Sequence, residues 1–163
     1  MPGDADIVVV GAGIAGAAAA RALAQAGRDV ALLEQHEVGH PHGSSHGSSR
    51  IFRLNYPDPG YVRLAQGALA AWRQLEAECG ETLILRTGAL DVGPAALDNA
   101  RALSSCGASY ELLDAAAVSG RWPVAVADGE PALYQPDGGV TLADRCLAAM
   151  LDGARADGAR LLE

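Results

Sequence analysis

Lysine is absent from this 163-residue chain, and all 12 basic residues are arginine. Against 20 acidic residues they leave a net charge of −8, which argues against a surface for nucleic acid or anionic membrane. Aromatic residues supply only 4% of a chain that is 50% hydrophobic, so its core must be built from small aliphatic side chains. The three cysteines, Cys79, Cys106 and Cys146, are widely spaced and form no CxxC pair. They offer neither a disulfide framework nor a zinc spacing, and read as reduced, partly buried thiols of a cytoplasmic protein. Met1-Pro2-Gly3-Asp4 lacks the basic start of a secretion signal. The apolar stretch from Ile7 to Leu33 is broken by Arg21, Gln25, Arg28 and Asp29, which argues against a membrane span.

What is present begins with Asp6-Ile7-Val8-Val9-Val10, followed by Gly11-Ala12-Gly13-Ile14-Ala15-Gly16. This pattern predicts a buried strand, a glycine turn and a helix. Gly11 permits the tight turn, Gly13 lets backbone approach a pyrophosphate, and Gly16 lets the helix pack closely on the strand. The helix start offers free N–H groups and a positive dipole end to phosphate. Glu34 follows Gly11 by 23 residues, after the apolar run Val30–Leu33, and can accept hydrogen bonds from a ribose diol. The candidate dinucleotide-binding residues here are Gly11, Gly13, Ile14, Ala15, Gly16, Glu34 and Gln35.

Beyond this unit, helical and strand patterns alternate. The first helix is expected from Ile14 to Ala26, with Ala20 and Leu23 toward the sheet and Gly27 as its C-cap. A second helix is expected from Pro59 to Cys79, with Asp58 as N-cap and Val62, Leu64, Leu69, Trp72 and Leu75 on its apolar face. Short strands are expected at 83–86, 89–92, 110–113, 132–135 and 139–141. Helices are expected at 95–105, from Asp114, and at 142–156 with Leu142, Cys146, Leu147 and Met150 inward. A last strand begins at Ala159. It should join the first sheet, which would then need further strands to be covered, so the chain reads as the N-terminal part of a longer enzyme.

The loop 35–49 holds all four histidines, His36, His40, His42 and His46, among glycines and serines, with Arg50 and Arg53 following. Three readings stand side by side. It could be a transition-metal site, although the spacing fits no usual zinc pattern. It could be a solvated polar loop. Or its small residues and N–H groups could wrap a cofactor while the arginines hold an anion. For each arginine, an ion pair with an acid such as Asp58 is the plain alternative.

The span Asp6–Glu34, with Ala20, Leu23 and Gly27 in place, resembles the FAD fingerprint of glutathione-reductase-type flavoproteins. The string Gly43-Ser44-Ser45-His46-Gly47-Ser48-Ser49-Arg50-Ile51-Phe52-Arg53-Leu54-Asn55-Tyr56 resembles the monomeric sarcosine oxidase and N-methyltryptophan oxidase family, part of the D-amino-acid-oxidase-like group. Tyr61-Val62-Arg63-Leu64-Ala65, Trp72, Thr87-Gly88, Arg121-Trp122-Pro123 and Pro136-Asp137-Gly138-Gly139-Val140 continue the likeness in order.

The resemblance implies an α/β, Rossmann-like FAD-binding domain with the beginning of a substrate domain. The implied divisions are residues 1–56 for the FAD-binding core and flavin loop, 57–138 for the insertion, and 139–163 for the returning helix and strand. It also implies oxidation of a secondary amine or amino acid to an imine, with hydride transfer to flavin and peroxide formed from oxygen. Arg50 then lies against the flavin, Arg53 binds the substrate carboxylate, His46 is an active-site histidine, and Ser44 and Ser45 contact FAD. No metal is implied. The family's flavin-attaching cysteine and oxygen-activating lysine lie in a C-terminal half not present here, so none of the three cysteines is expected to carry flavin. The chain alone is expected not to turn over. A nicotinamide-dependent dehydrogenase and an inactive nucleotide-binding remnant are the alternative functions.

Overall fold

One Ile and three Val in sequence stiffen the backbone toward an extended conformation, and in a computed structural model describing residues 4–163 they form strand β1, Ile7–Val10. Met1-Pro2-Gly3, part of the signal-peptide argument, lie outside the described residues. The remaining elements are α1 (Ile14–Gln25), β2 (Val30–Leu33), β3 (Ser49–Phe52), α2 (Pro59–Cys79), β4 (Ile84–Leu85) and β5 (Ala89–Val92). They continue with α3 (Ala95–Ser105), β6 (Glu111–Leu113), α4 (Ala115–Arg121), β7 (Ala132–Gln135), β8 (Gly139–Leu142), α5 (Ala143–Ala156) and β9 (Arg160–Leu162). The mixed α/β class is as expected. The chain divides into two compact units, one comprising residues up to Arg50 with Leu75–Leu83 and Thr141–Glu163, the other Ile51–Gln74 with Ile84–Val140.

In the first unit β1, β2 and β9 form a parallel sheet with β2 central. Val9, Leu32 and Leu161 are paired across it in one row, and all three belong to the cluster that also holds α1 and α5. Alanine makes the approach of these helices close: Ala17, Ala20 and Ala24 of α1 are buried, as are Leu147, Leu151 and Ala154 of α5. A fully buried leucine such as Leu32 or Leu151 contributes about 1.5–3 kcal/mol. Both helices stop as their sequences require. Gly27, at φ +75°, ends α1, with the Arg28 N–H donating to the Leu23 carbonyl at 3.1 Å. Gly158, at φ +103°, does the same after α5, with the Ala159 N–H on the Ala154 carbonyl at 2.9 Å. The final strand does join the first sheet, in parallel with β2.

The second unit holds an antiparallel sheet, β5-β7-β6, with β7 central. Its core gathers Leu54, Val62, Leu69, Leu103 and Leu133. Asp58 begins α2, its Oδ1 accepting the Gly60 N–H at 2.7 Å, and Pro59 is the first helical residue. Two expected core positions differ. Leu64 is 68% exposed, because two residues from Val62 lies half a turn away; Ala65 and Leu69 complete the buried stripe. Leu142 closes β8 instead of opening α5, and is half-buried.

Candidate functional site

The turn after β1 is closed by the Gly11 N–H, which donates to the Leu33 carbonyl at 2.7 Å, and Gly11 takes φ +94° to do so. A Cβ on Gly16 would run into the Gly11 carbonyl oxygen, so backbone meets backbone where α1 crosses β1. Gly13 is the extended N-cap of α1 and has no side chain to cap it, and no acid stands in the helix's first turn. The cap comes from the distant loop: Ser45 Oγ accepts the Ile14 N–H at 3.0 Å. A Cβ on Gly13 would stand 2.9 Å from that same oxygen. The positive end of the helix dipole therefore lies beside Gly13 and the Ser45 hydroxyl, with no side chain of its own helix in the way.

Glu34 sits just beyond β2, its side chain 7% exposed. Oε2 accepts the Ala12 N–H at 2.8 Å. Oε1 accepts the N–H groups of Gln35 at 2.9 Å and His36 at 3.2 Å, and lies 3.3 Å from His40 Nε2. The Ala12 hydrogen bond, foremost, holds the carboxyl below the ordinary glutamate range despite the opposing effect of burial.

A cavity of about 280 Å³ brings these parts together. That lies near the lower end for ligand clefts, room for part of a dinucleotide. Of the residues singled out by sequence, Gly11, Gly13, Glu34, Gln35, Ser44, Ser45 and His46 line it. Ile14 contributes its N–H from the helix start, while Ala15 and Gly16 lie along α1 outside the lining. His46 Nδ1 is 2.5 Å from the Gly43 carbonyl. A carbonyl only accepts, so Nδ1 carries the proton and Nε2 of the neutral ring is an acceptor.

Arg50 is not a lining residue. Its guanidinium donates to the carbonyls of Ser44 (2.7 Å), His46 (2.6 Å) and Ser49 (2.6 Å), stapling the loop from within. Arg53 belongs to the second unit, where its guanidinium stacks 5.1 Å from the Tyr56 ring centre. Among the described residues neither arginine pairs with a carboxylate, so the ion-pair alternative does not hold, and Asp58 is spent on capping α2.

The cavity also has lining residues that sequence did not assign, His40, His42, Val38, Gly39 and Leu147. The cluster of histidines was the visible signal for the first two. Their rings pack with His36, at centroid distances of 4.6–5.5 Å. Among the described residues no group of three histidine, cysteine or acidic side chains is placed to hold a metal. Cys79 is exposed, Cys106 half-buried and Cys146 buried, all unpaired, so the expectation of partly buried thiols fails for Cys79. No described helix is long and apolar enough to cross a membrane.

A family described as FAD dependent oxidoreductase matches residues 6–163. The chain is 36% identical to the peroxisomal sarcosine oxidase of Mus musculus, over 97% of this chain and 43% of that protein. It is 33% identical to an N-methyl-L-tryptophan oxidase of Salmonella arizonae, over 94% of this chain and 43% of that protein. Among solved structures it is similar to NikD, an unusual amino acid oxidase essential for nikkomycin biosynthesis, with a TM-score of 0.81 and 32% identity, covering 97% of this chain and 42% of that one. The chain thus spans less than half the length of the curated relatives it matches.

Proposed function

The chain belongs to the DAO family of FAD dependent oxidoreductases, and from that premise we propose that it is the cofactor-holding portion of an oxidase of secondary amines or amino acids, of the sarcosine oxidase kind. The observation that carries this is that Gly11, Gly13, Ser45 and Glu34 line one cavity beside the Ile14 N–H, the phosphate and ribose contacts of a dinucleotide site. When bound, FAD supplies the acceptor for the hydride leaving the carbon beside the substrate nitrogen, and oxygen, reduced to peroxide, is the final oxidant.

The chain's own residues hold and orient. The α1 N-terminus and the Ser45 hydroxyl face the pyrophosphate, and Glu34 receives the ribose hydroxyls. Ser44 and Gln35 complete the binding set. His46 and Arg50 belong to the flavin loop, Arg50 carrying a positive charge that carbonyls orient without neutralising. Arg53, without an acidic partner among the described residues, grips the substrate carboxylate with its planar fork while Tyr56 supports the other face. The first unit serves the cofactor and the second begins the substrate domain. The unpaired thiols support a reducing compartment, and we place the protein in the cytoplasm, although the mouse relative is named peroxisomal.

FAD titration of the 163-residue chain, followed by flavin fluorescence, tests the reading. Saturable binding in the micromolar range, at least about tenfold tighter than for NADH, is expected. Absence of saturable FAD binding by a folded chain would overturn it.

A further inference from the structure

The site holds Glu34 with one donor more than the backbone supplies. Oε1 already accepts the Gln35 and His36 amides, yet His40 Nε2 also reaches it at 3.3 Å. We propose that His40 is a positioning residue for the nucleotide: its Nε2–H pins Oε1 so that Oε2 faces the ribose hydroxyls. This rests on the reading of Glu34 as the ribose acceptor.

The tautomer follows from geometry. His40 Nδ1 accepts the His42 N–H at 3.1 Å, so Nδ1 is unprotonated and the proton of the neutral ring sits on Nε2, facing the carboxylate. The ring needs no positive charge to donate. Its own backbone is anchored, the His40 N–H donating to the Glu37 carbonyl at 3.1 Å. The His36 ring packs edge-on against it at 4.8 Å between centroids, and the His42 ring stacks at 5.5 Å. A carboxylate offers about four acceptor positions, two on each oxygen. Three donors crowd Oε1, while among the described residues Oε2 receives only the Ala12 N–H, so the open acceptor is on Oε2. Both His40 and Glu34 line the cavity that the glycine turn closes. The Gln35 and His36 amides already leave the open acceptor on Oε2; His40 adds a side-chain donor on Oε1 that holds the carboxylate against turning out of that position. The arrangement parallels the outer partners that orient metal-ligating side chains, here applied to a hydrogen-bonding carboxylate.

Two variants separate the ring's two bonds. In His40→Asn the amide oxygen stands near the place of Nδ1, keeping an acceptor for the His42 N–H, but nothing reaches Glu34. In His40→Gln the amide nitrogen stands near the place of Nε2 and still donates to Glu34. The probes are ADP and 2′,3′-dideoxy-ADP, titrated calorimetrically into the full chain after thermal melts have shown each variant folded. The wild-type chain should prefer ADP by at least about tenfold, the scale of a hydrogen bond to a charged acceptor. His40→Asn should reduce that preference to about threefold or less, with affinity for the dideoxy probe unchanged, and His40→Gln should restore it. Full preference in His40→Asn overturns the proposal. So does an equal loss for both probes, which would make the ring a loop support only. A wild-type chain without preference would instead overturn the ribose reading of Glu34 itself.

Discussion

Ser45 Oγ accepts the N–H of Ile14 at 3.0 Å across 31 residues of chain. Helix α1 thus receives from the loop after β2 the cap that Gly13 cannot supply. Ser45→Ala should lower unfolding free energy by about 0.5–2 kcal/mol, the cost of an N-cap. A urea midpoint unchanged from wild type would show the contact to be idle.

Gly13 and Gly16 are glycines for different reasons, and substitutions should separate them. Gly13→Val fills the space between the turn and Ser45, so FAD binding should vanish while the chain still folds. Gly16→Ala sets a methyl against the Gly11 carbonyl, a backbone group that cannot move aside. Overpacking of this kind costs about 1–3 kcal/mol or more, so the melting temperature itself should fall. Equal melting temperatures for Gly16→Ala and wild type would contradict the contact.

The pH dependence of Glu34 follows from its depressed pKa. Its unfolded-state value is the higher one, so its contribution is complete above the ordinary glutamate range. The contribution is lost progressively as pH falls from the unfolded value through the lower folded one. Glu34→Gln should therefore be less stable than wild type at about pH 7, with the gap closing as pH falls below the ordinary glutamate range. Urea melts of both proteins across that range would show it, and a gap already closing above the glutamate range would reverse the sign of the shift.

Arg50 and Arg53 should fail in different assays. Arg50→Lys cannot donate to three carbonyls in a planar fork, so a protease that cuts after small residues, such as elastase, should cut loop 43–49 faster. Arg53→Ala, in an enzyme carrying this chain, should weaken carboxylate binding by about 1.5–3 kcal/mol while leaving loop proteolysis unchanged. An unaltered Michaelis constant and rate would remove Arg53 from the substrate site.

Thiol labelling should proceed in the order Cys79, Cys106, Cys146. Cys79 is exposed, whereas burial, with Glu76 nearby, pushes the Cys146 thiol up to about 11. In native protein at neutral pH, mass spectrometry of alkylated peptides should find Cys146 unmodified while Cys79 is complete. Early labelling of Cys146 would mean that the core around α5 opens readily.

Local patterns were legible because local chemistry made them. Gly11 and Gly27 take positive φ where the turn and the C-cap were read, and Asp58 caps α2 as its place before Pro59 demands. Leu64 was misplaced because apolarity alone does not give a face; its angle from Val62 does. His40 was visible as one histidine in a cluster, but not as Glu34's partner, since a loop without period gives no orientation.

The sequence by itself determined the β1–α1–β2 unit, its glycine turn, the acid after β2 and the likeness to amine-oxidising flavoproteins. These rest on backbone preferences and spacings within about thirty residues, which short-range sterics fix. Tertiary structure alone decided that Ser45 caps α1, that Arg50 staples its own loop, and that Glu34 is held by Ala12, Gln35, His36 and His40. Those pairings depend on where a glycine-rich loop comes to rest. Its course is set by hydrogen-bond donors and acceptors that must find partners once the sheet and helices have closed around them.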